Sequence, residues 1–338
     1  MMRRIRMLFV LAAAATVPGA LAQENPFRED GWAKLPDGRK WGWTSAIDVD
    51  RAGNIWVFER CGANSCAGSN LAPLVKLSPS GRFLKGFGAG MFAFPHGLHI
   101  DSAGNVWVTD ADGKDGKGHQ VVKFSAEGKV LLTLGKAGVA GDGTDTFNRP
   151  SDVITAPSGD IFVADGHGGD SNARIVKFSK DGKFIKTWGR KGADRGEFDT
   201  PHALAMDSRG RLFVGDRGNS RIQIFDQEGN FLEEWKQFGR PSGLFIDRND
   251  TLHVADHQSN AKLNPGFKRG IRIGSARDGA VSAFIPGLGA EPETQSVGEG
   301  VAADAIGNVY WAETAGMTVR KFVRHNSDRL SQSKGGMK

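Results

Sequence analysis

The chain has 338 residues, of which 24% are charged and 39% hydrophobic, and its formal net charge is +6. Much of the basic excess lies at the two ends of the chain, so the body between them is close to neutral. A nucleic-acid-binding protein usually presents a basic face to the phosphates, and we therefore exclude nucleic acid as a partner.

The first predicted element is a secretory signal peptide. Three arginines lie among the first six residues, an apolar run extends from Met7 to Val17, and Ala20-Leu21-Ala22 has the small-x-small pattern of a cleavage site. The alternative is a transmembrane anchor, but the apolar run is too short to span a bilayer comfortably. We therefore expect residues 1–22 to be removed, leaving a periplasmic or secreted protein with no stable membrane span.

The two cysteines of the chain, Cys61 and Cys66, come next. In an exported protein their natural interpretation is one disulfide that closes a short loop. The alternative is a metal site with two cysteine ligands, which would need a further cysteine or a nearby histidine.

One phrase then recurs six times: apolar-Asp-x-x-Gly-Asn-apolar-aromatic-Val-x-acid. Residues 49–59 and 100–110 are the clearest copies, and looser ones centre on Gly159, Gly210, Asp250 and Gly307. Each copy has the pattern of a strand, a tight turn and a strand, and several are followed by a third and a fourth strand. Four short strands per repeat without a sustained helical period are typical of propeller blades. The sequence therefore predicts an all-β, six-bladed β-propeller over residues 23–323.

The sixth copy ends near Phe322, after its third strand. We expect the start of the mature chain, around residues 31–39, to supply the missing fourth strand, which would close the ring and cover the edge strands. Residues 324–338 are rich in Ser, Lys and Gly, and this composition predicts a disordered basic tail.

Equivalent positions just before the first strand of each blade predict a ring of side chains at one mouth of the central channel. The ring consists of Thr44, His96, Ser151, His202, Ser242 and Glu299. Because His96, His202 and Glu299 belong to alternate blades, they should converge on the axis. Two imidazoles and a carboxylate suit zinc, which in catalytic sites typically has three protein ligands and one open position, although other divalent transition metals accept the same ligands. The alternative is a pair of hydrogen-bonded channel histidines without a metal.

An acidic residue ends the second strand of every copy, which indicates a structural role such as holding turn amides. These acids are Glu59, Asp110, Asp165, Asp216, Asp256 and Glu313. The residues that follow them differ. Arg60 and Arg217 are placed to bind a substrate carboxylate bidentately, or else to form salt bridges with the acids.

Three stretches of the chain resemble peptidyl-α-hydroxyglycine α-amidating lyases, whose repeats are of the NHL type. They are residues 95–110, 150–178 and 196–222, within a weaker similarity from about residue 47 to residue 322. The resemblance implies a six-bladed propeller that holds zinc with three histidines and cleaves a peptidyl-α-hydroxyglycine into a peptide amide and glyoxylate. It also implies zinc ligands at His96 and His202 and carboxylate-binding arginines at Arg60 and Arg217.

The chain departs from the family pattern at two places. Where the family has its third histidine followed by an aspartate, this chain has Glu299 followed by Gly300. The zinc ligands would then be two histidines and one glutamate, and the family's calcium site would lack its aspartate. The catalytic tyrosine of the family would fall near His167, which we consider the candidate base.

The leading interpretation is therefore a metal-dependent carbon–nitrogen lyase that acts on an α-hydroxyglycine-like carbinolamide, as a small molecule or within a peptide. The first alternative is a non-catalytic NHL propeller that binds peptide, glycan or protein. The second is a lactonase-like propeller hydrolase. The metal distinguishes the three, since the lyase should hold zinc, the binding protein none, and the hydrolase calcium.

Overall fold

The computed structural model describes residues 25–36, 38–287 and 298–325. The predicted signal peptide and nearly all of the predicted tail lie outside the described residues. The described part contains 24 β-strands in six four-stranded sheets. None of its residues forms a helix that is long and apolar enough to cross a membrane.

Each sheet is one blade, and its strands pair antiparallel in sequence order, with a single exception in blade six. Blades one to three contain β2 (Thr44–Val49), β3 (Ile55–Glu59), β4 (Leu74–Leu77), β5 (Phe83–Phe87), β6 (Pro95–Ile100), β7 (Val106–Asp110), β8 (Gln120–Phe124), β9 (Val130–Leu134), β10 (Pro150–Thr155), β11 (Ile161–Asp165), β12 (Arg174–Phe178) and β13 (Phe184–Trp188). Blades four to six contain β14 (Pro201–Met206), β15 (Leu212–Asp216), β16 (Arg221–Phe225), β17 (Phe231–Trp235), β18 (Pro241–Ile246), β19 (Thr251–Asp256), β20 (Gly270–Ser275), β21 (Val281–Pro286), β22 (Gly300–Ala303), β23 (Val309–Glu313), β24 (Thr318–Arg324) and β1 (Phe27–Asp30). The predicted six-bladed β-propeller is confirmed.

The recurring phrase forms the turn between the first two strands of a blade. In blade one the Asp50 carboxylate accepts a hydrogen bond from the backbone N–H of Asn54 at 2.9 Å and another from Nε1 of Trp56 at 3.2 Å. Asp101 and Trp107 repeat this arrangement in blade two, at 3.0 Å. The motif aspartate therefore fixes both the turn and the indole, which explains why an Asp and an aromatic residue recur six positions apart.

The hydrophobic core lies between neighbouring blades. Trp56 and Phe58 of blade one pack in one cluster with Val108 and Phe124 of blade two. The first strand of each blade, called the inner strand here, lies beside the inner strand of the next blade, and β22 lies beside β2. Each blade thus buries its faces against its neighbours, and the ring is closed.

The N-terminal segment completes blade six as predicted, but the predicted position of the closing strand was wrong. The closing strand is β1, which pairs antiparallel with β24. Phe27 is buried against Trp311 and Phe322. Lys34, within the predicted segment, instead contacts blade one, where its N–H donates to the Gly81 carbonyl at 3.0 Å. The physical reason is composition, because two glycines and a proline weaken residues 31–39 as a strand.

Two aspartates of the inner strands connect neighbouring blades. Asp48 accepts a hydrogen bond from the backbone N–H of Ile100 at 2.7 Å, and Asp152 accepts one from that of Leu204 at 2.8 Å. Burial raises the pKa of each carboxyl to about 7, although the amide hydrogen bonds oppose the shift. The protonated form of each aspartate is therefore favoured in the folded protein.

Replacing Phe27 with alanine should weaken the closure of the ring. We expect the free energy of unfolding to fall by about 3–5 kcal/mol, the usual cost of deleting a buried phenylalanine side chain. Arg28→Ala is the matched control, because Arg28 is exposed on the same strand and should change the value by less than about 0.5 kcal/mol. Urea unfolding measures both, and equal stabilities of the two variants would contradict this account of closure.

Asp48→Asn should change how stability depends on pH. The pKa of Asp48 is higher in the folded than in the unfolded chain, so its favourable contribution at low pH is lost as pH rises from about 4 to about 7. Asp48→Asn lacks this pH-dependent loss. The free energy of unfolding of the variant minus that of the wild type should therefore rise by about 1.4 kcal/mol per pH unit in that interval. Asp170→Asn, at an exposed loop residue, is the control. A difference between Asp48→Asn and wild type that stays constant with pH would refute the expectation.

Candidate metal centre

A β-bulge at the start of the inner strands sets which side chains face the channel. In blades one, three, four and five the pairing of the inner strand with the second strand skips one residue, and in blade two it skips two. The residues passed over at the bulge include Ser45, His96, Ser151, His202 and Ser242. A bulged residue is released from the pleat and can turn toward the axis, which places these side chains at one height.

The predicted ring was therefore wrong by one residue in blade one. Thr44 pairs with Glu59, just as Pro95 pairs with Asp110, so Thr44 corresponds to the residue before His96. The ring residue of blade one is Ser45, whose hydroxyl donates to the Pro95 carbonyl at 3.1 Å. No proline marks the start of the inner strand in blade one, so the sequence lacked the marker that aligned blades two to five.

The backbone of the next blade orients the His96 imidazole. His96 Nδ1 lies 2.6 Å from the Ser151 carbonyl oxygen. Because a carbonyl oxygen only accepts, Nδ1 carries the proton and Nε2 has a free lone pair. Gly97 permits this contact, since a Cβ there would lie 2.7 Å from both the Ser151 carbonyl and the Asp152 carboxylate.

His202 is held in the same way, two blades further on. Its Nδ1 lies 2.7 Å from the carbonyl oxygen of Ser242, so its Nε2 also has a free lone pair. A backbone carbonyl that fixes the tautomer of a histidine is the usual outer contact of a metal-ligating imidazole.

Glu299 reaches the same point from blade six. Its backbone N–H donates to the Ala312 carbonyl at 2.7 Å. The residue before it must be glycine, because a Cβ on Gly298 would lie 1.2 Å from the Trp311 indole nitrogen. The carboxylate oxygen Oε1 lies 3.1 Å from His202 Nε2 and 3.5 Å from His96 Nε2. The structure therefore brings together His96, His202 and Glu299, which the sequence placed on alternate blades.

His167 also belongs to this cluster, hereafter the four-residue cluster of His96, His167, His202 and Glu299. One ligand atom from each residue lies within 4.8 Å of all the others. The His167 ring is 4.5 Å from that of His96 and 5.1 Å from that of His202, measured between centroids. The Nε2 atoms of the three histidines are buried and have no hydrogen-bond partner. Three orphaned imidazole nitrogens around a carboxylate fit a divalent transition metal.

The electrostatics of the four-residue cluster favour neutral imidazoles and an ionised carboxylate. Burial and the nearby Arg217 hold the pKa of His202 well below its ordinary value. Burial, His96 and Arg217 do the same to the pKa of His167. Burial alone would raise the pKa of Glu299, but it lies well below the usual range, and the guanidinium groups of Arg217 and Arg60 at 3.7 and 4.0 Å favour the ionised form. Histidine binds metals in its neutral form and glutamate in its ionised form.

Arg60 lies beside the four-residue cluster and is fixed on several sides. Its Nε donates to the Pro95 carbonyl at 3.0 Å and its Nη1 to Asn64 Oδ1 at 2.7 Å, while the guanidinium lies 3.7 Å from the centre of the Phe94 ring. Its Nη2 is 4.0 Å from Glu299 Oε2. Burial lowers the pKa of Arg60 to about 10, which leaves the group charged at neutral pH.

Cys61 and Cys66 are joined by a disulfide, as predicted. The closed loop contains Asn64, the side chain that accepts a hydrogen bond from Arg60. The disulfide thus supports the arginine indirectly, through the loop that follows it.

Arg217 faces the four-residue cluster from blade four. Its Nη1 is 3.7 Å from Glu299 Oε1, and burial lowers its pKa to about 10. Among the ion pairs of the described residues, five of the six acids at the strand ends pair with other arginines, namely Arg39, Arg174, Arg221, Arg272 and Arg320. The sixth acid, Asp110, accepts hydrogen bonds from backbone amides. The alternative in which Arg60 and Arg217 neutralise those acids is therefore wrong.

The acids that end the second strands hold backbone amides, as predicted. Asp165 accepts from the N–H of Asn148 at 2.8 Å, and Asp216 from that of Asp199 at 2.7 Å. In blades one to five the donor lies just before the inner strand of the same blade. Each acid therefore fixes the start of the bulged strand.

A cavity of about 390 Å³ opens onto Glu299, His167 and the two arginines. Several residues that line this cavity were not predicted as site residues from the sequence, including Trp43, Phe94, Asn64 and His257. His257 had a recognisable signal, since it follows Asp256 just as Arg217 follows Asp216. It is buried, its Nδ1 contacts the Ser242 hydroxyl, and burial lowers its pKa to about 3.

Comparisons with known proteins agree with this fold. A family model described as NHL repeat matches residues 198–225. NHL repeat-containing protein 3 from Homo sapiens is 29% identical over 316 residues, covering 88% of this chain and 84% of the human protein. Peptidyl-alpha-hydroxyglycine alpha-amidating lyase 1 from Drosophila melanogaster is 34% identical over 194 residues, covering 49% of this chain. The chain spans only 34% of that lyase.

The fold likeness extends to distant solved structures. A gluconolactonase structure from Xanthomonas campestris superimposes with a TM-score of 0.58 at 15% identity, covering 85% of this chain and 87% of the other. The chain is therefore a six-bladed β-propeller with an NHL repeat, and it resembles the α-amidating lyases.

Proposed function

We propose that this protein is a metal-dependent lyase that cleaves a peptidyl-α-hydroxyglycine-like carbinolamide into an amide and glyoxylate. The observation that carries the proposal is the convergence of three unpartnered imidazole nitrogens and a carboxylate beside two buried arginines. The partial similarity to the Drosophila lyase supports the same reaction.

In this proposal His96, His202 and Glu299 hold the ion, and zinc is the ion they suit. Zinc, when bound, would supply a Lewis acid for a hydroxyl or carboxylate oxygen of the substrate. The orphaned nitrogens of His96 and His202 are already turned to one point by Ser151 and Ser242, so little rearrangement would be needed on binding.

The two arginines would hold the carboxylate of the α-hydroxyglycine. Arg60 and Arg217 bring two positive charges to the wall of the cavity, and a third arginine, Arg269, also lines it. Glu299 is the one acid among the described residues that line the cavity. An anionic substrate end is therefore favoured at this wall. Guanidinium groups bind carboxylates bidentately, and Arg60 is already held by Asn64 and Phe94. Such a fixed anchor would orient the carbinol toward the four-residue cluster, an effect that contributes strongly to rate.

The bond changes of the reaction are simple. The carbinol hydroxyl gives up its proton, and its carbon becomes the aldehyde carbon of glyoxylate. The electron pair of the C–N bond goes to nitrogen, which takes up a proton and leaves as the amide. A base must accept the hydroxyl proton. His167 is the candidate base from the sequence, and its neutral imidazole has one lone pair for either a proton or a metal ion.

We further propose that the protein works in the periplasm or outside the cell, on a small-molecule or peptide substrate. The Cys61–Cys66 disulfide supports an oxidising compartment. A lactonase-like hydrolase is less well supported, because calcium prefers oxygen ligands and the candidate centre has three imidazoles. One observation favours a non-catalytic role, namely that the match to NHL repeat-containing protein 3 from Homo sapiens covers 84% of that protein.

The proposal can be tested by measuring glyoxylate release from a synthetic peptidyl-α-hydroxyglycine by the zinc-loaded mature protein. We expect release above the spontaneous rate. Arg217→Ala should lower kcat/KM by about tenfold to a hundredfold, because a charged hydrogen bond contributes roughly 1.5–3 kcal/mol. The effect should vanish with a substrate whose carboxylate is replaced by an amide.

Arg190→Ala is the matched control for this experiment, because the Arg190 side chain is 82% exposed and is not among the residues that line the cavity. It should retain full activity. A folded, zinc-loaded wild-type protein that releases no glyoxylate above the spontaneous rate would refute the lyase and favour the binding propeller.

A further inference from the structure

His167 stands out from the other cavity residues because its free ring nitrogen points into the four-residue cluster. Its Nε2 is buried and has no hydrogen-bond partner, like the Nε2 atoms of His96 and His202. The backbone N–H of His167 donates to the Ser171 hydroxyl at 2.9 Å, which fixes the loop after β11. The imidazole is therefore held against the other two, with ring centroids 4.5 and 5.1 Å away.

The donor atoms of the four-residue cluster need a cation at their centre. His96 and His202 carry their protons on Nδ1, so their Nε2 atoms are acceptors. Oε1 of Glu299 is also an acceptor, yet it lies 3.1 and 3.5 Å from these two nitrogens. Such a gathering of lone pairs is unfavourable without a positive charge between them. The His167 nitrogen lies within 4.8 Å of the same ligand atoms, so a cation placed there would satisfy it too.

We propose that His167 is a metal ligand and not the base, so that the ion is bound by three imidazoles and one carboxylate. The donors are His96 Nε2, His167 Nε2, His202 Nε2 and Glu299 Oε1. The inference shares its metal site with the proposed lyase function, but the ligand count does not depend on which substrate is cleaved. It restores a third histidine to the site, from a different blade and from a different kind of position.

The carboxylate orientation supports monodentate binding of Glu299 within this set. Its Oε1 faces the histidines, while Oε2 faces Arg60. Oε1 is thus the oxygen that faces the imidazole nitrogens, although Arg217 Nη1 also lies 3.7 Å from it, and Oε2 lies 4.0 Å from Arg60 Nη2. Arg60 would act here as the outer contact that orients a ligating carboxylate.

Four protein donors have a consequence for the choice of metal. A four-coordinate zinc ion would have no open position for substrate, whereas catalytic zinc sites typically keep one. An ion that binds both this set and a substrate oxygen must therefore be five- or six-coordinate. Imidazole and carboxylate ligands also suit iron, manganese and nickel. We accordingly expect the centre to accept octahedral divalent ions at least as readily as zinc.

The first test measures metal binding alone, with Zn²⁺ and Co²⁺ as probes and no substrate. We expect His167→Ala to weaken Zn²⁺ binding by at least tenfold to a hundredfold, as His96→Ala should, since even residues that only orient ligands cost that much. The visible spectrum of the Co²⁺-loaded protein should change as well. His99→Ala is the matched control, because His99 is a channel histidine that contacts Thr155 and Asp48 instead. It should bind both ions like the wild type.

A second measurement avoids any variant that fails to fold. X-ray absorption of the Zn²⁺-loaded wild-type protein counts the imidazole ligands, and three are expected. A count of two overturns the proposal, as does a folded His167→Ala protein that binds both ions normally. If that variant also lost glyoxylate release, His167 would be the base and the lyase would stand. Conversely, a wild type with three imidazoles but no glyoxylate release would refute the lyase and leave the ligand assignment intact.

Discussion

The candidate site depends on a β-bulge at the start of the inner strand in blades one to five. An unbulged strand would place successive side chains alternately toward the two neighbouring blades. The bulge frees one residue from that alternation, and the acid at the end of the second strand holds the amides just before it. Because the same device occurs in blades two and four, His96 and His202 meet although more than a hundred residues of sequence separate them. Glu299 joins them from the residue before the unbulged strand β22.

The sequence predicted the fold and three members of the four-residue cluster because repeats reveal equivalent positions. The sequence could not predict the features that differ from one blade to another. Ser45 was missed because only the pairing of Thr44 with Glu59 shows where the bulge lies. His167 was predicted as the candidate base from the family resemblance. It lies in a loop after a second strand, and the repeat did not predict that this loop brings its ring beside those of His96 and His202. The periodicity therefore predicted the blades and the ring of channel residues. The strand register and the loop conformations are seen only in the structure.

Glu299 changes the charge of the mouth relative to the three-histidine pattern of the lyases that this chain resembles. A neutral imidazole there would leave Arg60 and Arg217 as two uncompensated buried charges. The carboxylate offsets one of them and is itself stabilised by both, at 4.0 and 3.7 Å. The carboxylate and the two arginines thus form one electrostatic unit, and a change in any of them alters the others.

The pairing of β1 with β24 also has a consequence for how the protein acquires its structure. Glu29 and Arg320 form an ion pair at 2.6 Å across a sequence separation of 291 residues. Closing so long a loop has a high entropic cost, and contacts between distant segments form slowly. Among the described strands, the one synthesised first must therefore wait for the one synthesised last. Until then β24 is an unpaired edge of blade six, and the faces that blades one and six bury against each other are open. The unfinished ring is therefore the state most exposed to aggregation.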